Sequence, residues 1–193
     1  MANVNKPFGL RPIGNLSATG AQKQYGYQIA DNQAGAIFQG DLVVVYDGFI
    51  IKYDAATHTA PTGVFNGCQY YDPTRAGKPT WKNFYPGSVD ITSGIIACEV
   101  LDDPNQLFLI QAAGTIAQAD IGKNADPTAS TTGSTVTGVS AGTLGTPAKT
   151  AALTMKIVGL SDQAENELGQ YAVVVVKLNQ HQYGSTGVAA DGA

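Results

Sequence analysis

The stretch Leu42-Val43-Val44-Val45-Tyr46-Asp47-Gly48-Phe49-Ile50-Ile51-Lys52-Tyr53 decides the fold class. Two runs of β-branched and aromatic residues flank a two-residue Asp-Gly. A type I′ turn needs φ > 0 at both of its central positions, which Asp and Gly tolerate, so the spacing predicts a β-hairpin. The pattern repeats outward. Residues 64–71 and 80–85 predict a second pair, joined by a loop rich in Asp, Pro and Gly. Residues 95–101 and 106–112 flank Asp102-Asp103-Pro104-Asn105. Pro104 presets φ for a turn and Asn105 tolerates the next position, which predicts a third hairpin. Residues 23–30 predict a further strand. Residues 152–160 alternate Leu153, Met155 and Ile157 against Thr154 and Lys156, a strand with one wet face. Residues 171–179 contain Val173-Val174-Val175-Val176, and such a run predicts a central strand buried on both faces. Helix signals are short: one or two turns at 115–121, and a capping-box spacing of Asp162 and Glu165 that Gly169 soon stops. The class is therefore all-β, an antiparallel β barrel or sandwich.

Two segments stand outside this pattern. Residues 1–20 predict an extended N-terminal arm. Pro7 and Pro12 push Lys6 and Arg11 towards extended geometry, and Phe8, Leu10 and Ile13 are apolar knobs that need a surface. Residues 1–30 hold Lys6, Arg11 and Lys23 and no acid, in a chain whose net charge is −4. Residues 127–148 carry no charge and are mostly Thr, Ser, Gly and Ala, which predicts a flexible Thr/Ser/Gly-rich segment, an exposed, poorly packed loop or β-excursion, although Thr135-Val136-Thr137 and Val139 allow a weak strand instead. The organisation expected is an arm over 1–20, a β-rich body over 21–183 that includes the excursion, and a flexible C-terminal tail over 184–193.

Composition narrows the function classes. The chain has 193 residues, which suits a single β domain. Apolar residues make up 44%, enough for a core, while charged residues make up 13%, about half the usual share. Eleven Lys and Arg are scattered singly, which argues against a phosphate backbone as partner. No apolar run approaches the ~18–20 residues that span a bilayer, and the N-terminus has no apolar core of a signal peptide, so cytosolic synthesis and no membrane partner are expected.

Chemistry-bearing constellations are sparse. The two histidines, His58 and His181, read as surface or hydrogen-bonding residues, and no nucleophile motif accompanies them. Cys68 and Cys98 read as small buried thiols, with a disulfide left open. Asp102-Asp103 offers too few oxygens for Ca²⁺ and reads as turn chemistry. No enzyme activity, no cofactor, no metal and no small-molecule substrate is expected. One cluster is open to three readings. Tyr70, Tyr71, Trp81, Phe84 and Tyr85 fall on two expected strands and could be core, a subunit or capsid interface, or a sugar-stacking surface.

Several stretches resemble a known family. Asn5-Lys6-Pro7-Phe8-Gly9-Leu10-Arg11-Pro12-Ile13-Gly14 looks like the start of tailed-bacteriophage head decoration, or capsid-stabilising cement, proteins. Gly63-Val64-Phe65-Asn66-Gly67-Cys68, Tyr71-Asp72-Pro73, Gly77-Lys78-Pro79, Tyr85-Pro86-Gly87 and the closing 173–179 with His181 are similar too. The resemblance runs in patches from the arm to residue 181. It implies a virion protein on the outer capsid surface, often a homotrimer, that binds the major capsid protein encoded near it. On that reading Lys6, Pro7, Phe8, Leu10, Arg11, Pro12 and Ile13 form the capsid-binding arm. The alternatives are a neck or tail component, or a carbohydrate-binding virion module.

Overall fold

The structure is a computed structural model that describes residues 3–16, 24–91, 93–128 and 133–184. Its strands in chain order are β1 (Arg11–Asn15), β2 (Gln24–Ile29), β3 (Leu42–Tyr46), β4 (Phe49–Lys52), β5 (Gly63–Asp72), β6 (Lys78–Lys82), β7 (Ile96–Leu101), β8 (Gln106–Gln111), β9 (Thr115–Ile116), β10 (Asn124–Ala125), β11 (Met155–Leu160), β12 (Gly169–Gln170) and β13 (Val173–Leu178). One sheet has the order β1-β8-β13-β11-β10. The other has the order β2-β7-β5-β3-β4, with β6 continuing the β3 edge of the long strand β5, and β9 pairs with β12. All ladders between these strands are antiparallel. The six-stranded sheet curls until β2 comes alongside β4, yet no ladder joins them among the described residues. The architecture is a sandwich, not a closed barrel.

The deciding hairpin forms as its turn chemistry requires. Asp47 has φ 48° and Gly48 φ 83°, and Tyr46 pairs with Phe49. The second predicted pair also forms, as β5 and β6, with a single 3-10 turn at Pro73–Arg75 capped by the Asp72 carboxylate.

The core lies in two layers. Leu42, Val44, Val64 and Leu101 of the larger sheet meet Phe108, Ile110, Met155, Ile157, Val174 and Val176 of the smaller one. On the opposite face of the larger sheet, Val43, Ile50, Phe65, Cys68, Tyr70, Ile96, Cys98 and Val100 pack with Ile37, Tyr85 and Val89 from loops. Two-sided burial thus belongs to β3, where Val43 and Val44 are both fully buried. The valine run of β13 is central as expected, but it buries only Val174 and Val176; Val173 and Val175 are half-buried. Cys68 and Cys98 sit directly opposite each other on β5 and β7, free and buried, and burial pushes the Cys68 thiol up to about 12.

Two expectations are corrected. Residues 95–101 and 106–112 do not form a hairpin: β7 belongs to the larger sheet and β8 to the smaller. The 102–105 link crosses between layers because its side chains are held from outside. The Tyr27 hydroxyl donates to Asp102 at 2.9 Å, and the Asn15 amide donates to Asp103. The 162–167 segment makes turns and no helix, whereas the 115–121 segment gives β9 and a single 3-10 turn at Gln118–Asp120, within the one or two turns expected.

Within the described part of the uncharged segment, residues 134–137 are exposed as expected, Val136 by 94%, but the stretch after them packs on the body. Leu144 is fully buried and Ser140 nearly so. Val139 bridges Gln39, and Leu144 bridges Ala112 and Pro127. A Cβ on Gly133 would fall 2.4 Å from the Phe38 ring. Small residues fill this stretch because its backbone lies directly on the body. Residues 129–132, and the tail beyond Gly184, lie outside the described residues.

Candidate functional site

The segment expected to be a gripping arm is woven into its own body. Near its start, Asn3 donates from its amide to the carbonyls of Glu167 and Gln170 at 2.8 and 3.0 Å, and accepts the Glu167 N–H. Two buried glutamines of β8 then act as clasps. Gln111 accepts the Lys6 N–H at 3.0 Å and donates to the Val4 carbonyl at 2.8 Å. Gln106, fully buried, donates to the Gly14 carbonyl. Between these clasps, β1 pairs with β8, with a register shift between Pro12 and Gly14. Sequence reasoning missed both glutamines; their only signal is an amide at each end of the apolar run Leu107–Ile110.

Leu10, one of the expected partner-binding knobs, is 5% exposed and belongs to the core between the sheets. The chain reaches that position by close contact. The Leu10 N–H donates to Gly40 at 2.9 Å, and Gly9 adopts φ +68° with a would-be Cβ only 2.7 Å from the Ser140 side chain. Phe8 is half-buried, with the Arg11 guanidinium 4.7 Å from its ring centroid. Pro7 and Pro12 are half-buried, whereas Lys6 and Arg11 are exposed. What remains for a partner is Ile13, joined by Val4 and Leu16, which are 48, 63 and 59% exposed.

Beneath this segment lies a cleft of about 250 Å³ lined by Leu10, Leu42, Tyr53, Ile110, Thr128 and Thr143, among others. At its side the buried Asp41 carboxylate accepts the Phe38 N–H at 2.9 Å, the Ser140 hydroxyl at 2.5 Å and the Lys52 ammonium at 2.8 Å. A serine, a carboxylate and an ammonium meet here, but both donors spend themselves on the one acid. The arrangement is a neutral structural knot.

The aromatic cluster divides by strand alternation. Tyr70 and Tyr85 are core, 3% and 0% exposed, and the Tyr85 hydroxyl donates to the Gln33 carbonyl at 2.9 Å. Phe84 is half-buried and stacks on Phe38 with centroids 5.7 Å apart. Tyr71 and Trp81 stand out from the sheet, 49% and 54% exposed. The structure therefore does not bring the five together: it keeps two inside, one at the margin and two outside.

The histidines also separate. His58 is half-buried in a turn, where its Nδ1 accepts the Asp54 N–H at 3.1 Å. His181 is 4% exposed, so of the two expected roles, surface or hydrogen-bonding, it takes the second. Its Nδ1 accepts the Tyr183 N–H at 3.0 Å, and its Nε2 has no hydrogen-bond partner among the described residues. Burial pushes its pKa down, against the pull of the Asp102 and Asp103 charges and with a small push from Lys177. The native state therefore prefers neutral His181, while the unfolded chain takes up a proton near pH 6.5. The unfolded state then binds more protons between the two pKa values, so stability is full above about pH 6.5 and falls below it, by at most about 1.4 kcal/mol per pH unit. Asp72 and Asp120, held below the usual carboxylate range by hydrogen bonds from Thr74 and Lys123, lose their contributions only in stronger acid. Urea unfolding at pH 7.5 and 5.5 is expected to show this loss, and His181→Gln is expected to flatten it. An unchanged pH slope in that variant would assign the acid sensitivity elsewhere.

Among the described residues, no three His, Cys, Asp or Glu side chains converge as a metal site. No helix among the described residues is long and apolar enough to cross a membrane. Compared with family models, curated proteins and solved structures, the chain finds no match.

Proposed function

We propose that this chain is a virion structural protein that decorates the outer surface of a tailed-phage capsid and stabilises the expanded shell by binding the major capsid protein, as a homotrimer. The observation that carries the reading is the exposure of three apolar side chains, Val4, Ile13 and Leu16, on a segment fixed along the edge of a sheet, together with exposed Lys6 and Arg11. That segment also holds the stretch with the fullest resemblance to decoration proteins. It contains no acid, although the whole chain carries net charge −4. A basic, apolar strip suits an acidic shell surface, and the charge steers the encounter while apolar contact supplies affinity.

The fold refines how such a strip would work. Phe8 and Leu10 serve the body, not the partner. The clasps of Gln106 and Gln111 hold the strip in place before docking, so less ordering entropy opposes binding than for a free tether. Pro12 and the register shift blunt β1 as a backbone template, which leaves side chains as the gripping elements. Repetition around a trimer then multiplies a modest contact by effective concentration.

The test uses Ile13→Ser with Leu16→Ser, since both side chains are exposed and their loss spares the core. Burying the exposed half of each contributes about 1 kcal/mol, so the pair is expected to weaken binding to expanded heads lacking this protein by roughly 10–100-fold. Lys6→Glu with Arg11→Glu is expected to slow binding most at low salt. Undiminished binding by the apolar double variant would remove this strip, and the reading that rests on it.

A further inference from the structure

The outward face of β6, β5 and β7 carries two parallel rows of side chains. Register places Trp81 beside Gln69, Gln69 beside Ala97 and Ala97 beside Gln28 in the first row. Pro79 lies beside Tyr71 in the second, with Ile95 at the start of β7. Tyr71 and Trp81 are thus diagonal neighbours, roughly 7–8 Å apart at their backbones. Both aromatic rings lie over glycines. A Cβ on Gly67 would fall 2.6 Å from the Trp81 indole, and one on Gly94 would fall 3.1 Å from the Tyr71 ring. The rings occupy space that side chains would otherwise fill, and each is left about half exposed. A cleft of about 210 Å³ opens among Gln69, Tyr71, Pro79, Gly94 and Ile95.

This surface is stiff. Cys68, Tyr70, Ile96 and Cys98, at most 3% exposed, pack directly behind it. Its outward strand positions carry no lysine or arginine; the charge on this face is Glu99, opposite Gly67, whose carboxylate accepts the Asn66 amide at 2.9 Å. The nearest lysine of β6, Lys82, turns to the other face, 3.8 Å from Asp72 and 5.6 Å from the Tyr70 ring. Stacked bases would bring phosphates, and this platform offers them no cation. Pyranose rings bring something else: apolar faces of C–H bonds that lie well on an aromatic ring's electron-rich face, and hydroxyls at the rim that pair with side-chain amides. Two rings on neighbouring strands, with Gln69 next to both and Gln28 further along the first row, match that chemistry.

We propose that this platform binds a neutral polysaccharide, with successive pyranose rings on Trp81 and Tyr71 and their hydroxyls on Gln69 and Gln28. The inference stands apart from the capsid-decoration reading, and its test separates the two. Trp81 is the only tryptophan of the chain, so its fluorescence reports on the platform alone. The full chain is titrated with laminarihexaose, cellohexaose, chitohexaose and maltohexaose. At least one is expected to change the emission saturably, with half-saturation in the millimolar range or below. Tyr71→Ala is expected to raise that half-saturation about tenfold or more and Gln69→Ala several-fold, and Trp81→Ala to abolish retention on the matching insoluble polysaccharide, all with shell binding unchanged. Absence of a saturable response to all four sugars would overturn the proposal. So would full retention by Trp81→Ala, or loss of self-association or shell binding in these variants without any sugar response, which would make the platform a protein contact.

Discussion

A chain lacking residues 3–14 is expected to be unfolded, or nearly so, at room temperature, and not merely released from a partner. Three losses add up. Leu10 leaves a filled position between the sheets, and removing a buried leucine side chain alone costs about 3–5 kcal/mol. Gln106 and Gln111 lose three hydrogen bonds to the arm inside the protein, at about 1 kcal/mol each; Gln106 keeps the Leu107 carbonyl and Gln111 the Tyr171 carbonyl. The edge of β8 loses its ladder to β1. Together these approach the roughly 5–15 kcal/mol by which whole domains are stable. The milder Leu10→Ala is expected to fold with a Tm lowered by roughly 6–20 °C, from the same 3–5 kcal/mol and about 2–4 °C per kcal/mol for a chain of this size. Circular dichroism and thermal melts of both proteins check the expectation. A truncated chain that melts like the full one would show that β1 is an appendage, and the arm would again be a free tether.

That expectation reverses what the residues suggested on their own, and the reason is instructive. A sequence shows that Phe8, Leu10 and Ile13 want burial; it does not show against what. Period-two alternation is local and survives into the fold, so Asp47-Gly48, β5 with β6, and the central place of β13 were all legible. The layer to which a strand belongs depends on distant partners. The 102–105 link reads as a hairpin turn until Asn15 and Tyr27 take hold of its carboxylates from 88 and 75 residues away. Composition misled in the same way at 127–148. Runs of small residues look like a flexible linker, yet here they let a backbone settle on Phe38 and Gln39.

The candidate surfaces were half legible for a related reason. Adjacent aromatics on a strand must face opposite ways, so Tyr70-Tyr71 implies one inside and one outside. Which is which depends on the register of β5 against β7, shifted between Phe65 and Gly67. Trp81 and Tyr71 emerge as a platform only when Gly67 and Gly94 are seen beneath them, and neither glycine is near its ring in sequence by more than the fold's doing. The arm's apolar residues were legible as such; that Leu10 enters the core while Ile13 stays exposed came from three dimensions.

The second large effect is expected at Asp41. Its carboxylate gathers Phe38 N–H, the Ser140 hydroxyl and the Lys52 ammonium, and so ties the start of β3 to β4 and to the small-residue segment that roofs Gly9. Asp41→Ala removes the acceptor and leaves a backbone donor and a hydroxyl without a partner. Lys52 keeps some water, its side chain being 29% exposed, so its share of the penalty is smaller than for a fully buried cation. Breaking a buried pair from one side typically costs about 3–5 kcal/mol, and about 2–4 kcal/mol is expected here. Lys52→Met is expected to cost less, because Asp41 retains two hydrogen bonds. The double variant is expected to be more stable than the sum of the two predicts, by about 1–3 kcal/mol, since each single change destroys the same contact. Chemical denaturation of the four proteins measures that coupling directly. If Asp41→Ala costs under about 1 kcal/mol, or the two effects simply add, the knot does not hold this corner. The close fit of Gly9 on Ser140 and of Gly133 on Phe38 would then have to keep the segment in place by packing alone.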